Sequence, residues 1–407
     1  MRILFITHYY APDSGAAANR LTQLAEALHA RGHEVTVLTT MPHYPTGIIP
    51  DKYRGRFTFI EERNGVRVIQ IWLWVTQSPK ISRRLISQLS FMLTCAVRGM
   101  FVRRPDVIFI ENQPIFTGVA GWFISKVKRR PYMLNVSDYW PEYLVVSGVV
   151  KEQSRIYQVF KGLANLTQRG AGGIVAMLDD LLKRIEHRLG TVKNGRVIHN
   201  GIDLKRFHPN VDASQFRQKY TLGNYRLVTF LGGLGPHIDL ETMLEATKLV
   251  TGYDDVRFLF VGTGAQKNTL IEALQKPKFS HCLHIEWLGT DEIPAFWGAT
   301  GIHFWALHDN ELDKMRFQAK LYEALATGTP TVIAVDGLMS EVLAEHDMGL
   351  TVAPSDATGL ANAIKMLLDD AELSQKIRDN ARHYAETNLD FDKVVAAYEM
   401  MLKSALG

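Results

Sequence analysis

Short apolar runs alternate with longer stretches of helical periodicity along the whole chain. Many of the apolar runs are rich in β-branched residues, and residues 17–31 between the first two runs predict a helix that ends at Gly32. The runs are "RILFIT", "EVTVLTT", "VRVIQIWLW", "DVIFIE", "YMLNVS", "GGIVAM" and "RVIHNGID" in the first half, and "RLVTFLGGLG", "VRFLFVGTG", "HIEWLG", "IHFWAL", "TVIAV" and "GLTVAP" in the second. Such alternation predicts parallel sheets covered by helices on both faces. The expected fold class is therefore α/β, with two Rossmann-like, doubly wound parallel-sheet domains.

One segment between the two halves, "DLKRFHPNVDASQF" at 203–216, loses the apolar periodicity. We place the domain boundary there, with domains at 1–205 and 206–407 and the last helix able to pack back on the first domain. A length of 407 residues suits two domains rather than one core. Doubly wound sheets bind ligands beyond the carboxyl ends of their strands, so two facing domains would enclose a central cleft.

The segment "KLYEALATGTP" at 320–330 predicts a short helix with two different faces. Leu321, Ala324 and Leu325 form an apolar stripe, while Arg316, Lys320 and Glu323 line another side. Gly328 supplies a left-handed cap and Pro330 prevents continuation into the strand "TVIAV". The charged stripe is either a solvated face or part of a site, because a carboxylate can accept hydrogen bonds from a vicinal diol and a nearby lysine can bind a phosphate oxygen.

Glycines follow predicted strands in three loops, "PDSGAAANR", "FLGGLG" and "VGTGAQ". Glycine lets backbone N–H groups approach a phosphate closely, and a following helix N-terminus favours negative charge. The candidate ligand-binding glycines are Gly15, Gly232, Gly233, Gly235 and Gly262. No loop shows G-x-G-x-x-G with an acidic residue at the next strand end, and no G-x-x-x-x-G-K-[ST] occurs. The sequence therefore does not favour a dehydrogenase, kinase or ATPase.

Charge divides unequally between the halves although the net charge is only +4. Residues 1–207 carry 29 Lys+Arg against 15 Asp+Glu, and the rest carries 17 against 27. Residues 85–102 make a poor membrane span because they include an arginine and several polar residues. They predict either a basic amphipathic helix on anionic lipid or an ordinary packed helix. The basic residues proposed for a membrane or acceptor side are Arg83, Arg84, Arg98, Arg103 and Arg104.

Two cysteines, Cys95 and Cys282, lie far apart without metal-ligand spacing, which indicates a reducing compartment. The N-terminal run is too short for a signal peptide and predicts a first buried strand. The one D-x-D, Asp390–Asp392, is expected to be structural. Neither the cysteines nor this motif predicts a metal site, and we expect no cofactor and no nucleic-acid partner.

Several segments together resemble a known family. "KLYEALATGTPTVIAV" followed by "GLMSEVLAEHDMGLTVAPSDATGLANAI" resembles the donor-binding core of the retaining GT-B glycosyltransferases of family 4, and "VIHNGIDLKRF" is similar to their interdomain segment. "VSDYWPEYLVVSGVVK" and "HYYAPDSGAAANRLTQLAEALHARGHEVTVLTTMPHYPTG" resemble a bacterial subgroup that builds capsule, O-antigen or exopolysaccharide repeats. The resemblance covers nearly the whole chain in the expected order and implies the GT-B architecture.

The resemblance also implies a function. The second domain would hold a nucleotide-sugar donor, expected to be UDP-linked, with Glu323 on the ribose and Lys320 beside the diphosphate. The first domain would hold a lipid-linked or other saccharide acceptor, with Gly15 and Asp138 near the transferred sugar and Asn200–Gly201 shaping the cleft floor. Transfer would retain configuration without a protein nucleophile or a metal, at the cytoplasmic face of the membrane.

The sequence departs from the family pattern in three places. Met315 stands eight positions before Glu323, where a second glutamate is usual, and Glu311 or Asp313 would substitute only if the loop ran differently. No basic pair occurs in "GGLGPHIDLETM", which leaves His237 and backbone N–H groups for the diphosphate, and His199 stands where proline is common. Three alternatives therefore remain open: a GT-B epimerase, a transferase with a soluble acceptor, and a catalytically silent sugar-nucleotide-binding subunit.

Overall fold

The computed structural model describes residues 1–78, 80–146, 150–315 and 317–406, with all of their side chains except those of Tyr143 and Leu312. Arg316, predicted to share the charged side of the helix at 320–330, lies outside the described residues. The chain forms two compact units, one of residues 1–200 with 393–407 and one of residues 201–392. The contacts divide the chain between residues 200 and 201, whereas the sequence analysis placed the boundary between 205 and 206.

The first unit is built on an eight-stranded sheet with the order β3-β4-β2-β1-β5-β6-β7-β8. Its strands are β1 (Arg2–Ile6), β2 (Glu34–Thr40), β3 (Thr58–Arg63), β4 (Val66–Ile71), β5 (Val107–Glu111), β6 (Tyr132–Val136), β7 (Gly173–Ala176) and β8 (Gly195–Val197). Its helices are α1 (Ala16–Ala30), α2 (Ile81–Met100), α3 (Ile115–Lys128), α4 (Glu142–Val146), α5 (Arg155–Arg169) and α6 (Asp179–Leu189). The order in which successive strands are added to the sheet reverses between β1 and β5. Open α/β sheets bind ligands at such a point.

One edge strand of this otherwise parallel sheet is antiparallel, a detail that the sequence analysis did not predict. β3 pairs antiparallel with β4, and the two join through Asn64 and Gly65, which both have positive φ. Asn-Gly is the favoured pair for a tight hairpin turn, so "RNGVR" was a signal that the sequence analysis did not use. Charged residues interrupt the apolar pattern of β3, because this edge strand is only partly covered.

The second unit is built on a six-stranded, wholly parallel sheet with the order β11-β10-β9-β12-β13-β14. Its strands are β9 (Arg226–Leu231), β10 (Val256–Val261), β11 (Cys282–Ile285), β12 (Thr300–Ala306), β13 (Thr331–Ala334) and β14 (Gly349–Val352). Its helices are α7 (Ser214–Lys219), α8 (Leu240–Leu249), α9 (Lys267–Leu274), α10 (Ile293–Ala299), α11 (Glu311–Lys314), α12 (Ala319–Ala326), α13 (Leu338–Glu345), α14 (Ala357–Asp369) and α15 (Ala371–Tyr384), with a 3-10 turn at Pro277–Phe279 and a π turn at Ala385–Leu389. The topological reversal lies between β9 and β12. The core is strongly aromatic, with Phe258 and Phe304 packed edge to face at 5.4 Å.

The last helix, α16 (Phe391–Ser404), leaves the second unit and packs on the first from residue 393 onward. Tyr398 donates a hydrogen bond to Asn135 Oδ1 at 2.9 Å within the buried sheet of the first unit. At the surface Glu399 pairs with Arg31 at 3.4 Å. Among the described residues, no helix has the length and apolar character that crossing a bilayer requires.

Candidate active site

The charged stripe of α12 is largely shielded from water rather than solvated. Leu321, Ala324 and Leu325 are fully buried, and Lys320 and Glu323 on the other side are themselves only partly exposed. Gly328 has φ of 63° and ends the helix as expected, so that β13 can follow directly. The helix therefore presents a lysine and a carboxylate close to the reversal between β9 and β12.

Lys320 lies in aromatic surroundings. Its Nζ is 4.7 Å from the ring centre of Phe230 and 5.5 Å from that of Trp305, at cation–π distances. Within the described part of the chain, no hydrogen bond or ion pair to this ammonium is present. Burial lowers the pKa of Lys320 to about 7, and Glu323 opposes that shift only partly. An ammonium in these surroundings would gain most from an anionic ligand.

Glu323 is held by a tryptophan that the sequence analysis did not identify. Trp297 Nε1 at the end of α10 donates to Glu323 Oε2 at 2.8 Å. Burial raises the pKa of Glu323, while this hydrogen bond and the charges of Arg206 and Lys320 favour the ionised form. The second carboxylate oxygen, Oε1, has no hydrogen-bonding partner among the described residues. The geometry thus leaves one oxygen for a ligand hydroxyl.

Two further side chains beside Lys320 were also missed. His303 and Trp305 lie two residues apart on the same face of β12, and their ring centres are 5.0 Å apart. His303 Nδ1 donates to Thr229 O at 2.9 Å, and burial lowers the pKa of His303 well below its usual value. His303 Nε2 and Trp305 Nε1 are buried without partners in the part of the chain that the structure describes. The polar positions in "IHFWAL" were a weak signal, because a single histidine in a strand more often packs in the core than binds a ligand.

The two glycine loops of the second unit pack backbone against backbone. Gly232 N donates to Val261 O and Leu234 N donates to Thr263 O, both at 2.9 Å. Gly262 has φ of 149°, and a Cβ there would overlap the carbonyl oxygen of Gly232. Gly262 N donates to Ile285 O, so the amides of Gly232 and Gly262 are already used within the protein. These two glycines permit close packing rather than offering their N–H groups.

Gly233 and Gly235 are the predicted residues of this loop whose amides have no backbone acceptor in the described residues. The imidazole of His237 lies 2.8 Å from the place where a Cβ of Gly235 would stand, so His237 flanks the loop. A Cβ at Gly232 would collide with Lys320 Nζ. The loop, His237 and Lys320 therefore lie in one region of the second unit. Their roles in donor binding stay predictions.

The candidates for a second donor-site carboxylate are engaged elsewhere. Glu311 is exposed on the short helix α11 and pairs with Lys314 at 3.2 Å. Asp313 is buried and accepts from Asn310 Nδ2 at 2.6 Å. Met315 follows as the C-cap residue of α11. Asp390 Oδ1 accepts from the backbone N–H of Asp392 at 2.8 Å, and among the described residues no group of three or more His, Cys, Asp or Glu side chains could hold a metal ion.

In the first unit Gly15 lies at the start of α1, in the loop after β1. Its φ is 133°, which favours glycine, and a Cβ there would stand 3.0 Å from the ring of Tyr44. Asp13, which the sequence analysis did not single out, accepts from the backbone N–H groups of His43 and Tyr44 at 2.7 and 2.9 Å. Burial raises the pKa of Asp13. Asp13 therefore holds the loop after β2 against the glycine loop after β1.

Asp138 follows β6 and accepts a hydrogen bond from the Gln113 side chain, which lies beyond β5. Directly before Asp138, Ser137 enters a buried polar network and donates to Glu111 Oε1 at 2.5 Å. Arg20 of α1 reaches both Glu111 and Ser137, at 3.1 and 2.9 Å. Gly15 and Asp138 are thus positioned by loops whose supporting strands are tied together, although a contact between the two residues is not part of this network.

The remaining predicted residues lie outside these two clusters. Asn200 ends the first unit, with its Oδ1 buried and without a partner among the described residues, and Gly201 begins the second. His199 donates from Nδ1 to Met177 O at 3.1 Å, and burial lowers its pKa. Arg83 and Arg84 lie in the first turn of α2 and Arg98 in its last, while Arg103 and Arg104 follow that helix. Arg103 pairs with Glu34 at 3.1 Å.

Comparison with known proteins gives the family. The description "Glycosyl transferase 4-like domain" matches residues 15–201, and "Glycosyl transferases group 1" matches residues 212–384. The phosphatidyl-myo-inositol mannosyltransferase of Mycolicibacterium smegmatis is 30% identical over 382 residues, which cover 92% of this chain and 86% of the relative. This chain belongs to the GT4-type glycosyltransferases. The family membership makes it a transferase enzyme, and the alternative of a silent subunit gains no support from these relatives.

Further similarities of this glycosyltransferase extend over its whole length. A protein of Escherichia coli (strain K12) named as a colanic acid biosynthesis glycosyl transferase is 22% identical, with 98% of each chain covered. Anabaena HepE in complex with UDP has a TM-score of 0.72 at 20% identity, covering 99% of this chain and all of the other. Sucrose-phosphate synthase from Thermosynechococcus elongatus has a TM-score of 0.74 at 18% identity, covering 99% and 98%. These structures confirm the GT-B fold, with a doubly wound sheet in each unit.

The first prediction concerns Glu323. Glu323→Gln should weaken binding of UDP, the nucleotide expected from the sequence, by about 1.5–3 kcal/mol, because a charged acceptor for ribose hydroxyls is lost. The variant should also discriminate less between UDP and 2′,3′-dideoxy-UDP. Calorimetric titration measures both affinities, and Glu272→Gln on the exposed side of α9 is the matched control. Unchanged UDP affinity in a folded Glu323→Gln variant would refute the ribose assignment.

The second prediction concerns pH. Burial lowers the pKa of Lys320 to about 7, so the fraction of its ammonium form falls as the pH rises above 7. A bound diphosphate would raise that pKa again. UDP affinity should therefore fall by up to about tenfold per pH unit above pH 7, where the phosphate is already ionised. Titrations from pH 7 to 9 test this dependence. Lys320→Arg, which stays charged, should flatten the profile, and an identical slope in that variant would contradict the prediction.

Proposed function

We propose that this glycosyltransferase moves a sugar from a UDP-linked donor to a lipid-linked saccharide with retention of configuration. The observation that supports the proposal is the pair on α12. A shielded lysine without a described hydrogen-bonding partner lies one turn before a glutamate whose free oxygen is oriented by Trp297. Such a pair suits a diphosphate and a ribose, which every nucleoside diphosphate carries.

In the proposed mechanism the second unit stabilises the leaving group. Lys320 would neutralise negative charge on the diphosphate, helped by the amides of Gly233 and Gly235, while Glu323 binds the ribose. The acceptor hydroxyl oxygen forms a bond to the anomeric carbon as the bond from that carbon to the diphosphate oxygen breaks. The hydroxyl proton passes to the departing diphosphate, so no protein nucleophile is needed. In the first unit, Gly15 and Asp138 would contact the transferred sugar.

The proposed pathway is cell-surface polysaccharide biosynthesis. The segment "VSDYWPEYLVVSGVVK" and the first glycine loop resemble the bacterial subgroup with that role, and the Escherichia coli relative is named for colanic acid biosynthesis. Of this segment, residues 147–149 lie outside the described residues. Trp140 and Leu144 from the same segment pack with Phe160 of α5 in the first unit. These residues belong to the first unit, which is proposed to bind the acceptor. They therefore support the choice of acceptor and not the choice of nucleotide.

A location at the cytoplasmic face of the cell membrane is proposed from α2. Five large apolar side chains on one face of this helix are exposed, namely Ile86, Leu89, Leu93, Val97 and Met100, and Ile81 is exposed in its first turn. Arg83 and Arg84 lie in the first turn of the helix, Arg98 lies in its last turn, and Arg103 and Arg104 follow it. At 1.5 Å per residue the helix is about 30 Å long, so the charges flank an apolar centre. This distribution suits a helix lying on an anionic lipid surface.

The donor is tested first, as the third prediction. UDP at 100 times its dissociation constant should add about 2.7 kcal/mol of stability, observed as a higher unfolding temperature. GDP is the comparison, because a relative from Corynebacterium glutamicum is named a GDP-mannose-dependent alpha-mannosyltransferase. Stabilisation by GDP but not UDP would overturn the choice of base. Incubation with UDP-sugars should then release UDP slowly, and no release or transfer with any sugar nucleotide would overturn the transferase proposal.

The fourth prediction concerns the membrane. The protein should sediment with anionic vesicles but not with neutral ones, because each arginine near an anionic surface contributes about 1 kcal/mol. Replacing Arg83, Arg84, Arg103 and Arg104 by glutamate, or raising the salt to about 0.5 M, should release it, since salt screens these charges. Lys193→Glu, an exposed residue of the first unit away from α2, is the control for altered charge. Equal binding to neutral vesicles, or none to anionic ones, would exclude the electrostatic mechanism.

A further inference from the structure

An open groove of about 780 Å³ lies on the first unit. Three pieces of chain line it: Gly47–Ile48 from the loop after β2, Trp74–Ser78 from the segment after β4, and Arg83 from the first turn of α2. The lining residues include one arginine and no carboxylate. The groove is therefore positively charged. Of its lining residues, the sequence analysis singled out only Arg83.

The side chains in this groove suit a sugar joined to phosphate. Trp74 is 38% exposed, and its backbone N–H donates to Ser90 Oγ of α2 at 2.8 Å, which holds this residue in place. An anchored, partly exposed indole offers an apolar face on which a pyranose ring can stack. Arg83 is exposed, and its guanidinium forms no ion pair with the described residues. A guanidinium matches phosphate oxygens in two-pronged geometry.

Polar groups between these two residues complete the groove. Gln77 Nε2 donates to Thr46 O at 3.2 Å, which fixes the side-chain amide of Gln77. The carbonyl oxygen of that amide can still accept a hydrogen bond. Thr76 Oγ1 accepts from Ser78 N at 3.2 Å, and its hydroxyl can still donate. Sugar hydroxyls need such paired donors and acceptors. The groove therefore offers an aromatic surface, hydrogen-bonding groups and a cation in one place.

The chain segments that line the groove connect it to two features already described in the same unit. At one end, the loop that supplies Gly47 and Ile48 begins at His43 and Tyr44, whose amides Asp13 holds beside Gly15. At the other end, Arg83 lies between the exposed Ile81 and Ile86 of α2. One lining loop of the groove is thus held beside Gly15, and another lining residue belongs to α2.

We infer that this groove binds the sugar–diphosphate head of a lipid-linked acceptor. Trp74 stacks on the sugar, Arg83 binds the diphosphate, and the lipid follows the apolar face of α2. A second copy of this chain would bring an arginine against an arginine, so charge complementarity favours an anionic ligand. The inference rests on the proposed function, because it assigns the acceptor of that same reaction.

The fifth prediction tests the groove with a defined probe, geranyl-diphospho-N-acetylglucosamine, a soluble prenyl diphosphate sugar. Calorimetry should show binding to the full-length wild-type protein. Trp74→Ala and Arg83→Gln should each weaken it about tenfold, as expected for one lost contact of roughly 1.4 kcal/mol. Geranyl diphosphate should respond to Arg83→Gln but not to Trp74→Ala, and the methyl glycoside of N-acetylglucosamine should show the opposite pattern.

Matched controls separate the groove from general effects. Arg67→Gln on β4 and Trp287→Ala, a tryptophan 73% exposed in the second unit, lie outside the groove lining and should bind the probe normally. Absence of probe binding to the wild type, or equal losses in groove and control variants, would overturn the inference. Binding of UDP is measured in parallel. If UDP binds and the probe does not, the groove assignment fails alone; if the probe binds and no nucleotide does, the donor proposal fails alone.

Discussion

A lysine ammonium shielded from water, with aromatic rings rather than a hydrogen-bond acceptor beside it, determines much of the candidate site in the second unit. Lys320 Nζ lies over Phe230 and Trp305, and it occupies the space that any side chain at position 232 would need. Removing a charge from water is costly unless another charge compensates, and Glu323 compensates only in part. These surroundings therefore favour an anionic ligand, and a diphosphate would compensate the charge.

Two departures from the family pattern lie in the same unit as Lys320. Without a basic pair after β9, the loop still offers the amides of Gly233 and Gly235 near His237, so positive potential comes from Lys320 and backbone dipoles. Without a second glutamate at Met315, a bound donor sugar would lack that proposed contact, since Glu311 and Asp313 are engaged with Lys314 and Asn310. The described side chains thus support recognition of the nucleotide more than recognition of the sugar.

In the first unit a buried polar network holds several loops in place. A buried ion pair of Arg20 and Glu111 joins α1 to β5, and Asn135, Ser137 and Tyr398 extend this network to β6 and α16. Breaking one partner of a buried pair leaves an uncompensated charge, so such networks are costly to disturb. The C-terminal helix consequently supports the loops that carry Gly15 and Asp138, although it is distant from them in sequence.

The sequence by itself determined the α/β class, most strand positions, the cap at Gly328 and the family, because these depend on local periodicity and on residues close together in the chain. The hairpin strand β3 was missed although Asn64–Gly65 signalled it. Only the tertiary structure decided that Trp297 orients Glu323, that the amides of Gly232 and Gly262 are used in packing, and that Trp74 and Arg83 share a groove. Each of these depends on residues that are far apart in sequence or on backbone groups approaching across loops. Hydrophobic periodicity records which face of an element is buried, but not which distant side chain meets it there.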